Sequence, residues 1–489
     1  GWNDENNEKL AAGRCTGRGT DRSGRLRRKI SEPYVSRGKN AGVQHACVGR
    51  PDRRDFRDAA EKLSGRPDDP SAPLSTGKRR HRDAGPGAKW QRGLPLGSGG
   101  DLGPAVKGRT IWYYDPAVGA WQQAALSPAV LSATAAYLAT PDVQYFVFIP
   151  WGYRQVERAC LQETGSRGYL TITQTEGGWR VQVFGSYLNA GEVCDYTVVR
   201  SDDPAPLWDT AENSLTLWAT YAQPRDWKWC YDGYYRPCPE TYEPHGSGVY
   251  FRSVISYLTK SLEALAGSNR CADDLTVAML DTVSRLAEAD GSMHTKTRSG
   301  WLWEDYGIGA DYYDTRWNSD AMLLYLTFAQ RHGGFRDVME DYLAFYLDYA
   351  EKYHHTTENG GWFVYDYCNP DADVPVHTSL NHQLAEMQVL YDYSDYLQRP
   401  DLAALADRML LAIEDTWPQW IKPDGDLQYC YYGEGVYGRA DYPYLTYNDL
   451  FTMQKTLLTR NGEENTALRA LMESKLRWMT QQGITGYFK

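Results

Sequence analysis

The chain has 489 residues, of which 42% are hydrophobic and 24% charged, and its formal net charge is −11. That length suits two or three domains with a large core. Residues 1–110 are basic, at roughly +11, leaving about −22 for the rest; the acidic body argues against nucleic-acid binding, and no apolar run reaches the roughly 18 residues of a membrane span.

Residues 1–108 are rich in Arg, Gly, Pro, Asp and Ser and show no sustained period of 2 or 3.6. They cannot bury enough apolar surface to offset chain entropy, so a disordered basic segment is expected. Without interleaved aromatics it is a poor nucleic-acid arm. Its composition is that of a GC-rich gene read out of frame, and the expectation is that this stretch is not native coding sequence. No leader with a charged start and apolar centre is visible, and the sequence assigns no cellular location. Cys230 and Cys238, in "WCYDGYYRPC", fit no zinc spacing and read as ordinary thiols.

From residue 109 the composition changes. "VQYFVFIPWG", "GYLTITQTEGGWRVQVFGSYL" and "NSLTLWATYAQ" are rich in Thr, Val, Tyr and Phe and alternate in polarity, with a hairpin at "TEGG". A β-rich domain is expected over 109–248. From 249 to 489 the period becomes helical, in pairs: "YFRSVISYLTKSLEALAG" with "DDLTVAMLDTVSRLAEA", "NSDAMLLYLTFAQRHGG" with "FRDVMEDYLAFYLDYAEKY", "SLNHQLAEMQVLYDYSDYLQR" with "PDLAALADRMLLAIEDTW", and "YNDLFTMQKTLLTRNG" with "NTALRALMESKLRWMTQQG". The expected fold class is mainly α: an incomplete α/α toroid of about four helical hairpins behind the β-rich domain.

The connections repeat as well. "ADGSMHTK", "ENGGWFVYDY" and "PDGDLQYCYY" each pair a polar turn with a strand-like aromatic stretch, and each leads to a polar helix start bearing Asn318, Asn381 or Asn448. Such spacing places the helix starts and long loops together at one end of a curved stack. Asn is also a favoured N-cap, which would explain its position without any site.

The loops carry the chemistry. The first offers Trp301, Trp303, Glu304, Asp305, Tyr306, Asp314, Arg316 and Asp320; the second Trp362, Tyr365, Asp366, Tyr367, His377 and His382; the third Tyr429, Glu434, Arg439, Asp441, Tyr442 and Tyr444. Aromatic faces stack on the apolar faces of sugar rings, while carboxylates, Asn and Arg hold hydroxyls and acidic groups. The expected ligand is an oligosaccharide or polysaccharide, bound by Trp301, Trp303, Arg316, Asn318, Trp362, Asn381, His382, Arg439, Tyr444 and Asn448. Neither cofactor nor metal is expected: His382 and Glu386 share a helix face, but only Asp371 and Asp373 are near enough in sequence to join them.

"GDLQYCYYGEGVYGRADYPYLTYNDLFTMQKTLL" and "LNHQLAEMQVLYDY" resemble the C-terminal domain of glucuronyl carbon-5 epimerases, which act on uronic acids in polymers such as heparosan. The resemblance implies a β-rich part before an incomplete α/α barrel and makes Tyr429 and Tyr442 the acid/base tyrosines. The family's Arg and His after the first Tyr fall on Tyr431 and Tyr432, the His after the second Tyr on Pro443, and a later His on Tyr447. The positive charge that neutralises a uronate would then come from Arg439, Arg316 or Arg298. Two other readings stand beside this one. Glycoside hydrolysis would use two carboxylates among Glu304, Asp305, Asp314, Asp320, Asp366, Asp426, Glu434 and Asp441, and a non-catalytic glycan-binding protein would need only the aromatics.

Overall fold

The computed structural model describes residues 41–49, 99–101 and 110–488, apart from 142, 185–187, 204–205, 223–227, 231, 256, 264, 266–268 and 370–371. The chain divides into two compact units between Arg285 and Leu286, later than the change of period at 248. Within 1–108, where a disordered segment was expected, strands Ala41–Gly49 and Gly99–Asp101 pair with Glu192–Ser201 and Gly178–Phe184; otherwise that expectation lies outside the described residues.

The first unit is built on two antiparallel sheets. The larger has ten strands, with Gln144–Glu157 at its centre, paired to Ala135–Ala139, Cys160–Arg167 and Glu192–Ser201. A smaller, four-stranded sheet contains Tyr169–Thr175 and Gly178–Phe184, joined by the turn at "TEGG". Alternation decides which side chain faces which layer. Ala136, Leu138, Tyr145 and Val147 pack with Leu170, Ile172, Val181 and Val183 between the sheets. Their neighbours Ala135, Tyr137 and Phe146 face the other way, onto three helices: α1 (Glu212–Ala222), α2 (Tyr257–Glu263) and α3 (Arg270–Ser284).

Two expectations are corrected here. "NSLTLWATYAQ" is the helix α1, not a strand: Leu217, Trp218 and Ala222 form one apolar helical face against the sheet. The first expected hairpin begins with a strand, Val249–Ser253, whose consecutive buried Val249, Tyr250 and Phe251 pair with Cys160–Arg167, and its remainder, α2 and α3, packs in the first unit.

The second unit contains a short helix α4 (Gly300–Tyr306) and three helical hairpins: α5 (Thr315–His332) with α6 (Arg336–Lys352), α7 (Leu380–Leu397) with α8 (Pro400–Trp420), and α9 (Leu445–Asn461) with α10 (Thr466–Gln481). Helix α7 is flanked by α5 and α9, and α8 lies against α10. Buried on nearly every face, α7 is the central element. Helix α5 opens on Asp314, whose carboxylate accepts from Trp317 N–H at 2.9 Å, and closes on left-handed Gly333, with Arg331 and His332 beside the negative end of its dipole.

The mainly-α class is overturned. Among the described residues strands are nearly as plentiful as helices and form several sheets. Besides the first unit's sheets, the inter-helix connections themselves form strands: His294–Thr295, Tyr312–Asp314 and Tyr367–Cys368 make one small sheet, and Thr378–Ser379, Gln428–Tyr431 and Tyr437–Ala440 another. Tyr, Thr and Cys side chains in these short stretches, several of them fully buried, suit paired strands better than open loops. Among the described residues no helix is long and apolar enough to cross a membrane.

Candidate active site

The small sheets bring the starts of α5, α7 and α9 under one cluster of side chains. At its base lies Asp366, fully buried between Trp362–Val364 and Tyr367–Cys368. Its Oδ1 accepts from Ser379 N–H at 2.9 Å and its Oδ2 from the Ser379 hydroxyl at 2.5 Å. Its backbone is fixed too, the carbonyl accepting from Thr315 N–H and the amide donating to His377 carbonyl, both at 3.0 Å. Asp366 Oδ2 lies 3.4 Å from His377 Nε2 and 3.6 Å from His382 Nδ1. Burial pushes the Asp366 carboxyl up, against the pull of the Ser379 donors, and pushes both imidazoles down, His377 to about 3 with Arg439 adding to the effect.

Next to it stands Asp314, 5% exposed, whose carboxyl is pushed up to about 7 by burial first, with Asp366 and Asp320 adding and the Trp317 amide opposing. A carboxyl raised in this way keeps its proton to higher pH than a free one, which suits a proton donor. Deeper still, Glu386 is buried with the Tyr346 hydroxyl bonded to Oε2, and burial raises its carboxyl as well.

Aromatic rings surround His377. Its centroid is 5.6 Å from Tyr306, 5.8 Å from Tyr367 and Tyr432, 5.9 Å from Tyr429 and 6.1 Å from Trp301. The Tyr306 hydroxyl and His377 Nδ1 are 2.5 Å apart. Tyr429 meets Tyr442 edge to face at 5.7 Å. Desolvation pushes both phenols up, Tyr429 strongly with Tyr442 and Asp366 adding, and Tyr442 against the pull of Arg316. At the rim, Arg439 spans Trp301, 5.3 Å from its ring, pairs with Asp305 and donates from Nε to the Tyr432 hydroxyl at 2.9 Å. Its backbone is left-handed (φ 66°), a strain of order 1 kcal/mol held by the surrounding strand pair.

The expected site residues divide. Trp301, Asp314, His382, Tyr429, Arg439 and Tyr442 belong to this cluster. Trp303 and Glu304 lie on the exposed face of α4, with the Arg298 guanidinium 4.6 Å from the Trp303 ring. Arg316 is engaged by the protein itself: it makes a two-pronged pair with Asp449 at 2.7 and 3.3 Å, reaches Asp320 at 3.3 Å and donates to the Asn381 carbonyl at 3.0 Å. Asn318 is fully buried and spends its amide on Met293 N–H, Met293 carbonyl and Asp314 carbonyl. Asn448 accepts from Phe488 N–H. Trp362 stacks on His354 at 4.0 Å with Arg408 on its ring. Tyr444 is the N-cap position of α9, without a side-chain cap bond, and the caps of α5 and α7 are Asp314 and Ser379, so none of the three Asn is a cap. Asn381 is buried at the second position of α7.

Sequence reasoning offered Asp366 only as one of several candidate hydrolase carboxylates and gave His377 and Tyr306 no assigned role. A signal existed for Asp366: a carboxylate inside the aromatic run "WFVYDY" is rarely buried without a task. Elsewhere, ligand atoms of Glu288, His294 and Asp311 lie within 4.8 Å of one another, but the Lys296 ammonium already binds both carboxylates, so a protein cation occupies that cluster.

No protein-family model matches the chain, and no curated protein does. Solved structures match in part. A D-mannose isomerase aligns over 45% of this chain and 58% of its own at 12% identity, with a TM-score of 0.34. A cellobiose 2-epimerase from Spirochaeta thermophila aligns over 46% and 57% at 13% identity, with a TM-score of 0.34. A family 76 glycoside hydrolase from a bovine Bacteroides thetaiotaomicron strain aligns over 76% and 72% at 11% identity, with a TM-score of 0.38. The chain thus spans under two thirds of the isomerase and of the epimerase. These neighbours are sugar isomerases, epimerases and hydrolases by name; likeness this coarse assigns no activity, and the resemblance to glucuronyl carbon-5 epimerases gains no family match.

Proposed function

We propose that the protein is a carbohydrate-active enzyme that inverts a sugar carbon by proton transfer, with the carbon 5 of a uronic acid in a polysaccharide as its target. The observation that carries this reading is the pair Tyr429 and Tyr442, edge to face at 5.7 Å beside His377, with the Arg439 guanidinium at the rim above Trp301. Removing a proton next to a carboxylate requires that the carboxylate be neutralised, and Arg439 supplies a planar, permanently charged fork. Trp301 and exposed Trp303 offer ring faces to sugar units. Because desolvation raises both phenols, Tyr429 and Tyr442 serve as proton donors in their neutral form.

The test is to incubate the full chain with uronic-acid polysaccharides in heavy water, following deuterium at carbon 5 by NMR and reducing ends by colorimetry. Deuterium gain without chain cleavage is expected. A second reading, glycoside hydrolysis, is favoured by one observation, the Asp314 carboxyl at about 7, a value suited to a general acid. New reducing ends without deuterium gain would replace the first reading by the second.

A further inference from the structure

We propose that Asp305 is an internal stand-in for the substrate's carboxylate: in the empty site it holds the end of Arg439 that a uronate takes, and binding exchanges one carboxylate for the other. The inference rests on the uronate reading above and deepens it by naming the residue that governs how tightly the acidic group is held.

The argument starts from how Arg439 is fixed. A guanidinium is a flat fork with two faces and a rim of N–H donors. One face lies over the Trp301 ring, 5.3 Å from its centroid. On the rim, Nε donates to the Tyr432 hydroxyl at 2.9 Å. Tyr432 is itself seated on the hairpin, its ring so near Gly438 that a Cβ there would stand 3.1 Å from it. These contacts hold the fork in place and leave its Nη end to other partners. Asp305, in the last turn of α4, meets that end through one oxygen, Oδ2 on Nη2. Among the described residues Nη1 has no protein partner.

The pair is built to be exchanged. It is one-pronged, and both side chains are open to water, Arg439 38% and Asp305 35% exposed, so it favours the closed arrangement by at most about 5-fold. A uronate carboxylate arriving end-on can accept from Nη1 and Nη2 together, and two parallel charge-assisted bonds outdo one. A sugar hydroxyl offers a single neutral acceptor and gains too little to displace a charged oxygen. Asp305 thus keeps the fork oriented and its charge answered while the site is empty, and yields to another carboxylate. Arg316 shows the contrast. Its pair with Asp449 is already two-pronged and lies deeper in the protein, so an incoming carboxylate has no free edge to take there.

Calorimetric titration of the full chain tests this, with a glucuronate-containing oligosaccharide as the acidic probe and the same oligosaccharide with its carboxyls reduced as the neutral one. Asp305→Asn removes the competing charge and keeps the shape. The Kd for the acidic probe should fall about 2- to 5-fold, and that for the neutral probe should change by less than about 2-fold. In an Arg439→Gln background the same substitution should bring no gain, whereas a general loss of negative charge would still tighten binding there. An acidic-probe Kd that is unchanged or raised in Asp305→Asn, or a gain that persists without Arg439, overturns the proposal and leaves the uronate reading standing. If neither the wild type nor Asp305→Asn binds the acidic probe, both are overturned.

Discussion

Lys475, on the outer helix α10, is completely buried and holds together the segment that carries Tyr442. Its ammonium donates to Asp426 Oδ1 at 2.5 Å and to the Tyr442 carbonyl at 2.8 Å, and pairs with Asp441 Oδ2 at 2.7 Å. Lys475→Met keeps the stem and removes the charge. Taking one partner from a buried ion pair costs about 3–5 kcal/mol, because the remaining charge is stranded. The cost must depend on pH. Asp441 is already pushed up to about 6 by burial, with Lys475 pulling the other way. Relative to an unfolded value of 3.8, its ionisation lowers wild-type stability by about 3 kcal/mol as pH rises from 3.8 to 6, after which the loss is complete. In the variant the pull of Lys475 is gone, the folded carboxyl titrates higher, and the loss continues above pH 6. Below pH 6 both proteins hold Asp441 neutral, and the difference shrinks to the severed contacts of Asp426 and the Tyr442 carbonyl. Urea unfolding at pH 5 and pH 8 should therefore show a destabilisation of about 4 kcal/mol at pH 8 and about half that at pH 5. An equal effect at both values, or less than about 1 kcal/mol at pH 8, would refute the reasoning.

Three other outcomes follow from the same geometry. Asn318→Ala strands the Met293 amide and carbonyl, so it should lower stability by about 2–4 kcal/mol in urea unfolding; a shift in KM without a stability loss would instead make Asn318 a substrate ligand. Gly361→Ala places a Cβ 2.3 Å from the Ala412 amide nitrogen on α8, backbone that cannot step aside, so the thermal midpoint should fall by several degrees; an unchanged midpoint would show that the 361–412 contact is wrong. If the hydrolytic reading holds, Asp314→Asn should remove from the kcat/KM profile the limb that falls as pH rises through about 7, where Asp314 loses its proton; a profile unchanged in shape would rule Asp314 out as that general acid.

The helices of the second unit were legible because their period, turns and caps are local. So were two of the strands between them: "WFVYDY" and "LQYCYY" are aromatic-rich stretches that read as strand. What could not be read was where an amphipathic face goes. Helix α3 has an apolar stripe like that of α5, and nothing local says that it covers a sheet in the first unit; "NSLTLWATYAQ" has residues that favour strands, and only the packing of Leu217, Trp218 and Ala222 makes it a helix. Among the site residues, Trp301, Asp314 and Arg439 were visible as side chains that can stack on or bind a sugar, while Tyr429 and Tyr442 were singled out by the family resemblance. Asn318 and Arg316 were chosen on the same ground, and the structure shows why residue type alone misleads: both satisfy protein groups, one backbone and one carboxylate, so that a polar side chain at a helix start is as often an anchor for the incoming loop as a ligand for a substrate.

The same anchoring explains why the buried first turn of α7 is so polar. Gln383 donates to the carbonyls of Trp362 and Met409 and accepts from Val364 N–H, tying the strand that precedes Asp366 to helix α8. Ser379 holds Asp366 itself, and His382 Nδ1 meets the Thr315 hydroxyl at 2.9 Å, tying α7 to the start of α5. All but the partly buried bond to Trp362 are buried, and each buried one would leave an unsatisfied group if the loop moved, at a cost of about 1–3 kcal/mol. Flexible connections of this length would spread Tyr306, His377 and Asp366 over many arrangements. The buried polarity of α7 therefore holds these long connections in one arrangement, and Gln383→Leu, which strands the Val364 amide and the Trp362 and Met409 carbonyls, should lower stability by about 2–4 kcal/mol in urea unfolding, with a loss under about 1 kcal/mol counting against the anchoring.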